Sequence, residues 1–300
     1  MSKPIVVLHH RNCSDGFGAA WAAYTSSRGK EMEFIGVNYH EPIPDIVDKE
    51  VFILDFCYPR EVLLDLKSKN KSLVVLDHHA TAREDCEGLG FCTFDMNRSG
   101  AGLAWDYFHK QESIPNSYFC STSYVECRPL LIDLIEYRDL GFYWNNKTHE
   151  GKFENIKPIL AYVDSFDKTF DNWSHLNNEL NVLEQEQVIA KGESILRYQE
   201  GLIKYLLRTA KPFAINGKMY EAVNTSLFQS DIGNILAERN GVGITWNELK
   251  DGRVKFSLRG DDHNDVAKIA KMYGGGGHIK ASGFTLGSLH ELLNLAKEDV

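Results

Sequence analysis

The chain has 300 residues, 43% of them apolar, and a formal net charge of −9 at pH 7. The apolar fraction suits a folded globular protein and excludes a disordered one, and the length suits one large or two ordinary domains. The acidic balance argues against gripping long duplex DNA through many phosphates, while a short anion can still bind where metals or backbone N–H groups neutralise charge locally.

Met1 to Pro4 and the apolar run Ile5–Leu8 are too short for a secretion signal, and His9 and His10 end the run. No apolar stretch approaches the ~18–20 residues of a membrane span. Cysteines at 13, 57, 86, 92, 120 and 127 form no close CxxC pair. Free thiols in a reducing cytoplasm are therefore expected.

Short runs at Ile5–His9, Phe34–Val37, Val51–Asp55, Leu73–Asp77 and Phe91–Phe94 read as strands. The β-branched content of the first, third and fourth predicts burial on both faces. Helical patterns at Gly18–Ser27, Arg60–Ser68 and Gly102–His109 alternate with them. That rhythm predicts an α/β domain over residues 1–150, with a parallel sheet and right-handed crossovers. Residues 151–211 read as a helical linker. Within it Asn181–Leu207 is a long amphipathic stretch, closed by Lys211-Pro212. A helix belonging to the first domain is the open alternative. Residues 212–300 read as a smaller, mixed α/β domain. Val254–Leu258 alternates as a strand there, and Val266–Met272 reads as a helix running into Gly274–Gly277 and His278.

Parallel sheets bind ligands beyond the carboxyl ends of their strands. His9 ends the first strand, with Asp15 a few residues on; Asp55 ends the third; Asp77-His78-His79 ends the fourth. Imidazole and carboxylate suit first-row divalent metals such as Mn, Fe, Co and Zn. His9, Cys13 and Asp15 can fold around a metal in one tight loop, where Gly16 and Gly18 are read as permitting an unusual backbone. A phosphate loop without metal is the alternative, but Asp15 would repel phosphate unless a cation lay between. A surface turn is the alternative for the isolated histidine pair, and convergence of three strand ends counts against it. Gly275, Gly276 and Gly277 are read as an anion nest, with His278 and Arg259 adding charge and Ser99 reaching the same cleft. A structural role is an equal alternative for Arg259 and Ser99.

These residues resemble the DHH phosphoesterase superfamily with its DHH-associated C-terminal domain, nearest to nano-RNases and cyclic-nucleotide phosphodiesterase-like members. His9…Asp15 resembles the first motif, Asp55 the second, Asp77-His78-His79 the third, and Asp139 in Ile135–Leu140 the fourth, with Asp133 as another candidate. The run Gly274–His278, continuing to Phe284, resembles the glycine-rich signature of the C-terminal domain. The resemblance implies that Asp55 bridges two divalent ions, with Mn first and Zn, Fe or Co admitted by Cys13. It implies that His9 and Cys13 complete one site and that Asp15, His78 and Asp139 complete the other. His79 is expected to face the substrate phosphate and Asp77 to orient its neighbours, making Asp55, Asp77 and His79 the catalytic candidates. Cys13 stands where the family commonly has Asp, so whether it ligates stays open.

The expected activity is hydrolysis of short single-stranded oligonucleotides or small nucleotides in the cytoplasm, with no membrane or long duplex partner and with a homodimer allowed. A pyrophosphatase or phosphoadenosine-phosphate phosphatase, a nucleic-acid-binding module, and a nucleotide sensor with a degenerate metal site are the competing expectations.

Overall fold

The first strand, β1 (Ile5–His10), leads directly into α1 (Ser14–Ser26). A computed structural model describes residues 4–11, 13–27, 29–39, 41–109, 128–141, 156–182, 185–215, 217–288 and 290–291. Next come β2 (Met32–Val37), β3 (Glu50–Leu54), α2 (Arg60–Lys69), β4 (Ser72–Asp77), the single turn α3 (Arg83–Cys86), β5 (Cys92–Phe94) and α4 (Gly100–His109). The five strands form one parallel sheet in the order β2-β1-β3-β4-β5. All five predicted strands and all three predicted helices of this region are present. The ends shift by a few residues, chiefly because α1 begins at Ser14 rather than Gly18.

β1, β3 and β4 are apolar on both faces because both faces are covered. Val7, Leu54 and Leu76 enter one core cluster with Trp21 and Trp105, while Val6, Leu8, Ile53 and Val75 enter the other with Phe56 and Leu63. Large side chains buried to this degree contribute about 1.5–3 kcal/mol each.

Helices α5 (Leu130–Asp139), α6 (Ile156–Asp164) and α7 (Phe170–Val182) follow. They do not form a linker. Ile132, Ile159, Trp173 and Leu176 pack into the same core as Trp21, so the segment belongs to the first unit. The compact division falls between Ile195 and Leu196, inside α8 (Gln185–Leu207), rather than at 150 and 211. The predicted stretch Asn181–Leu207 is split, because Asn181 and Val182 close α7. Val188 and Ile195 of α8 join the first unit's core, and Ile203 and Leu206 join a cluster of the second. The predicted boundary at 150/151 and Cys120 and Cys127 lie outside the described residues.

The second unit contains β6 (Lys211–Ile215), β7 (Lys218–Asn224), α9 (Gln229–Asn240), β8 (Val242–Glu248), β9 (Val254–Gly260), α10 (Val266–Met272), β10 (Gly276–His278) and β11 (Ala281–Leu286). Its sheet runs β10-β11-β9-β8-β7-β6, antiparallel except for the β7–β8 pair. The α/β class with two sheets of different type agrees with the sequence expectation. No helix among the described residues is long and apolar enough to cross a membrane.

Candidate active site

The strand order of the first sheet reverses direction between β1 and β3. Such a switch point opens a crevice at the carboxyl ends of the strands. Leu8 pairs with Ile53, and Leu54 with Leu76. His10, Asp55 and Asp77 therefore follow one another across the edge of that crevice.

Asp55 lies one residue beyond β3 at φ +55°, in the left-handed region. This backbone costs a non-glycine residue on the order of 1–2 kcal/mol, although Asp and Asn tolerate it best. Its N–H donates to the Leu76 carbonyl at 2.9 Å, which fixes the turn. Gly100 makes room for it, since a Cβ at position 100 would lie 2.4 Å from the Asp55 Cβ. The carboxylate is buried, and its two oxygens face opposite ways. Oδ2 meets the Cys13 Sγ at 3.1 Å and the His10 Nδ1 at 3.6 Å. Oδ1 meets the His78 Nε2 at 3.3 Å. Around that same nitrogen stand Asp139 Oδ2 at 3.3 Å and Asp15 Oδ2 at 3.5 Å.

Asp15 is fixed by the start of α4. Its oxygens accept from the Gly100 N–H at 2.6 Å and the Ala101 N–H at 2.9 Å, where the helix N-terminus favours negative charge. The turn leading into α4 is held in turn by Glu136, which accepts from the Ser99 N–H at 3.1 Å and pairs with Arg98 and Arg128. Cys13 is the N-cap of α1, its Sγ accepting from the Gly16 N–H at 2.9 Å. Gly16 and Gly18 are not at positive φ. They serve close approach instead: a Cβ on Gly16 would lie 2.3 Å from the His10 carbonyl oxygen, and one on Gly18 2.9 Å from the Ala101 Cβ.

Asp77, fully buried, accepts from the His78 N–H at 2.7 Å and the His79 N–H at 3.3 Å, and its Oδ1 lies 2.8 Å from the His79 Nδ1. Burial lowers the His79 pKa, but Asp77 and Asp55 outweigh it and raise the imidazole to about 9. Asp77 thus orients His79 and favours its charged form. Replacing Asp77 with Asn is expected to weaken whatever task His79 performs by ~10–100-fold, the usual cost of losing an orienting partner. Bound metal, counted by atomic absorption, should be retained; its loss would make Asp77 a ligand instead.

The donor set fits divalent metal. His10, Cys13 and Asp55 form one convergent group, Asp15, His78 and Asp139 a second, and Asp55 with Asp77, His78 and His79 a third. Asp55 Oδ1 and His78 Nε2 are buried without a hydrogen-bond partner, a state that costs about 1–3 kcal/mol per group. Burial and the charge on Asp55 push the Asp15 carboxyl well above its ordinary range. Burial foremost, and Asp55 again, raise Asp139. Asp55 itself is held low against burial by His10 and His78. Carboxylates that repel one another around shared imidazoles are what a cation between them would stabilise.

Among the predicted site residues, the structure departs from the sequence reading for His9, Ser99, the glycine run and Arg259. His10, not His9, converges on Asp55. Side chains alternate along β1, so His9 shares the face of Val7 and turns toward Phe17 at 6.1 Å. Ser99 is wholly buried and caps α4, accepting from the Gly102 N–H at 3.1 Å, and so reaches no cleft. The glycine run is not an open nest. Gly274 and Gly275 donate to the last carbonyls of α10, while Gly276, Gly277 and His278 form β10. Arg259 is half-buried, donating to the Ser230 Oγ at 2.6 Å and the Leu258 carbonyl at 2.9 Å. Sequence reading also missed Tyr39, whose ring lies 5.8 Å from His10 and whose phenol is pushed up by burial and by Asp77.

No family model matches the chain. It is 28% identical over 321 residues to the uncharacterized protein R106 of Acanthamoeba polyphaga mimivirus, covering 98% of this chain and 70% of that protein. It is 26% identical over 222 residues to the oligoribonuclease NrnB of Bacillus subtilis (strain 168), covering 71% of this chain. It spans only 52% of the oligoribonuclease's length. In fold it is similar to RecJ from Thermus thermophilus in complex with Mn2+, at TM-score 0.54 and 12% identity, covering 98% of this chain and 51% of that one. That likeness to RecJ shows a shared fold. The parallel sheet carries on its carboxyl edge a His/Asp set suited to divalent metal.

Proposed function

We propose that the protein is a metal-dependent phosphodiesterase acting on short single-stranded oligonucleotides or small nucleotides. One observation carries the reading: the two oxygens of the buried Asp55 face two separate ligand groups, the arrangement of a bridging carboxylate. His10, Cys13 and Asp55 would hold one ion; Asp55, Asp15, His78 and Asp139 would hold the other. Mn is the ion proposed first, with Zn, Fe or Co in the range that a thiol ligand admits. Two such ions would supply charge neutralisation and an activated water near neutral pH.

The chain's own residues do the rest. His79, charged and fixed by Asp77, offers an N–H to a phosphoryl oxygen, where negative charge develops during attack. Burial of Asp15, Asp55 and Asp77 leaves little water to compete with the substrate, which strengthens each electrostatic contact. A cleft of about 290 Å3 opens beside the cluster, lined by Cys13, Ser14, Asp15, Ile135, Arg138 and Asp139. Its size, together with the net charge of −9, favours short substrates over duplex polymers. The similarity to an oligoribonuclease supports the same substrate class.

The test is a panel of short oligoribonucleotides, linear dinucleotides, cyclic nucleotides and phosphoadenosine phosphate, each assayed with Mn, Co, Zn and Mg. Hydrolysis of at least one short substrate, abolished by chelator and restored by added metal, is the expected result. Inactivity toward every ester with every metal would overturn the proposal in favour of a nucleotide sensor.

A further inference from the structure

We propose that Arg138 is a substrate ligand of this site, donating from its guanidinium to the phosphoryl group that enters the cleft; the proposal rests on the phosphodiesterase reading above. Arg138 lies in the last turn of α5, immediately before Asp139, and is the only Lys or Arg among the described residues lining the cleft. Its Nη1 donates to Asp164, at the end of α6, at 2.7 Å. Among the described residues that contact takes one corner of the fork and leaves Nε and Nη2 as donors.

The other arginines around the site are each tied to two partners away from the cleft. Arg11 gives Nε and Nη2 to the Gly36 carbonyl and Nη1 to Glu41. Arg98 pairs with Asp106 and Glu136, and Arg128 with Asp133 and Glu136. Arg138 acts on its neighbour Asp139 through charge alone and makes no ion pair with it. The ion-pair partner of Asp139 is His78, at 3.3 Å, while Arg138 is turned to Asp164.

Charge balance gives the guanidinium its role. Four carboxylates, on Asp15, Asp55, Asp77 and Asp139, surround the cluster. Two divalent ions would balance them and leave nothing for the phosphodiester anion or for the charge it gains during attack. His79 supplies one donor on the Asp77 side. Arg138 supplies the other from the side of Cys13 and Asp15, and its planar fork matches two phosphoryl oxygens at once. The opposing reading is that Arg138 merely ties α5 to α6 through Asp164.

The experiment compares wild-type protein with Arg138→Ala, Arg138→Lys and Asp164→Asn, all loaded with Mn2+. Steady-state hydrolysis of a 5′-phosphorylated diribonucleotide gives kcat and KM. Calorimetry gives the Kd of its non-hydrolysable phosphorothioate analogue and, separately, of Mn2+. Arg138→Ala is expected to raise KM and the analogue Kd about 10–100-fold, the cost of a lost charge-assisted contact, with Mn2+ affinity unchanged. Arg138→Lys should recover part of the loss through its point charge. Asp164→Asn should stay within about threefold of wild type, because the guanidinium remains. Wild-type KM and Kd in Arg138→Ala would overturn the inference. So would an Asp164→Asn loss equal to that of Arg138→Ala, which marks a structural tie. If wild-type protein hydrolyses nothing, the phosphodiesterase reading fails instead, and the analogue Kd still decides whether Arg138 grips a phosphate.

Discussion

Asp55→Asn is expected to reduce phosphodiester hydrolysis by about 1,000-fold or more. A ligand that bridges two cations contributes several kcal/mol to charge stabilisation, and each 1.36 kcal/mol is tenfold in rate. Asn is the informative replacement because it keeps the volume and tolerates the left-handed backbone at φ +55°. The fold should therefore persist, with a melting temperature below that of wild type, since the charge that His10 and His78 stabilise on Asp55 has been removed. Initial rates with Mn and thermal melting by circular dichroism check both halves. A variant that folds and keeps activity within about threefold would sink the bridging role.

His10→Ala and His9→Ala should separate cleanly. Loss of His10 removes a donor at 3.6 Å from Asp55 Oδ2 and should weaken metal binding by at least the ~10–100-fold that even an outer partner costs. Activity should fall in parallel. Loss of His9 removes an edge contact to Phe17 on the opposite face of β1 and should leave metal affinity within about threefold of wild type. Manganese titration calorimetry on both variants reads this directly. The reverse pattern, with His9→Ala losing metal and His10→Ala keeping it, would restore His9 to the site.

Much of the first sheet was legible because its signal is local. Apolar runs of strand length such as Val51–Leu54 and Leu73–Leu76 are too short for a helix and too β-branched for a loop. The ligand-type residues at their ends point to one edge of the sheet. What failed depended on parity or on distant neighbours. His9 and His10 are chemically equal in the sequence, and only the pairing of β1 with β3 decides which of them meets Asp55. Ser99 looked available because nothing local announces that Glu136, 37 positions away, holds its backbone inside the protein. The helices of residues 156–188 looked like a linker because their partner surface, around Trp21 and Trp105, lies more than fifty positions upstream. The glycine run reads as an open anion nest, but its backbone is engaged by α10 and β11, which one sequence window does not reveal.

The contact between Asp55 and Gly100 carries a consequence for how such a chain can change over generations. Asp55, the residue at the centre of the proposed chemistry, occupies a backbone region that most side chains avoid, and it fits there because position 100 has no side chain. Gly100 also gives its N–H to Asp15, so the same residue serves two carboxylates, one just past β3 and one in the first turn of α1. A change at position 100 therefore reaches both of them at once. Positions 15, 55 and 100 are thus coupled by direct contact, and a side chain introduced at position 100 is expected to disturb both carboxylates in one step.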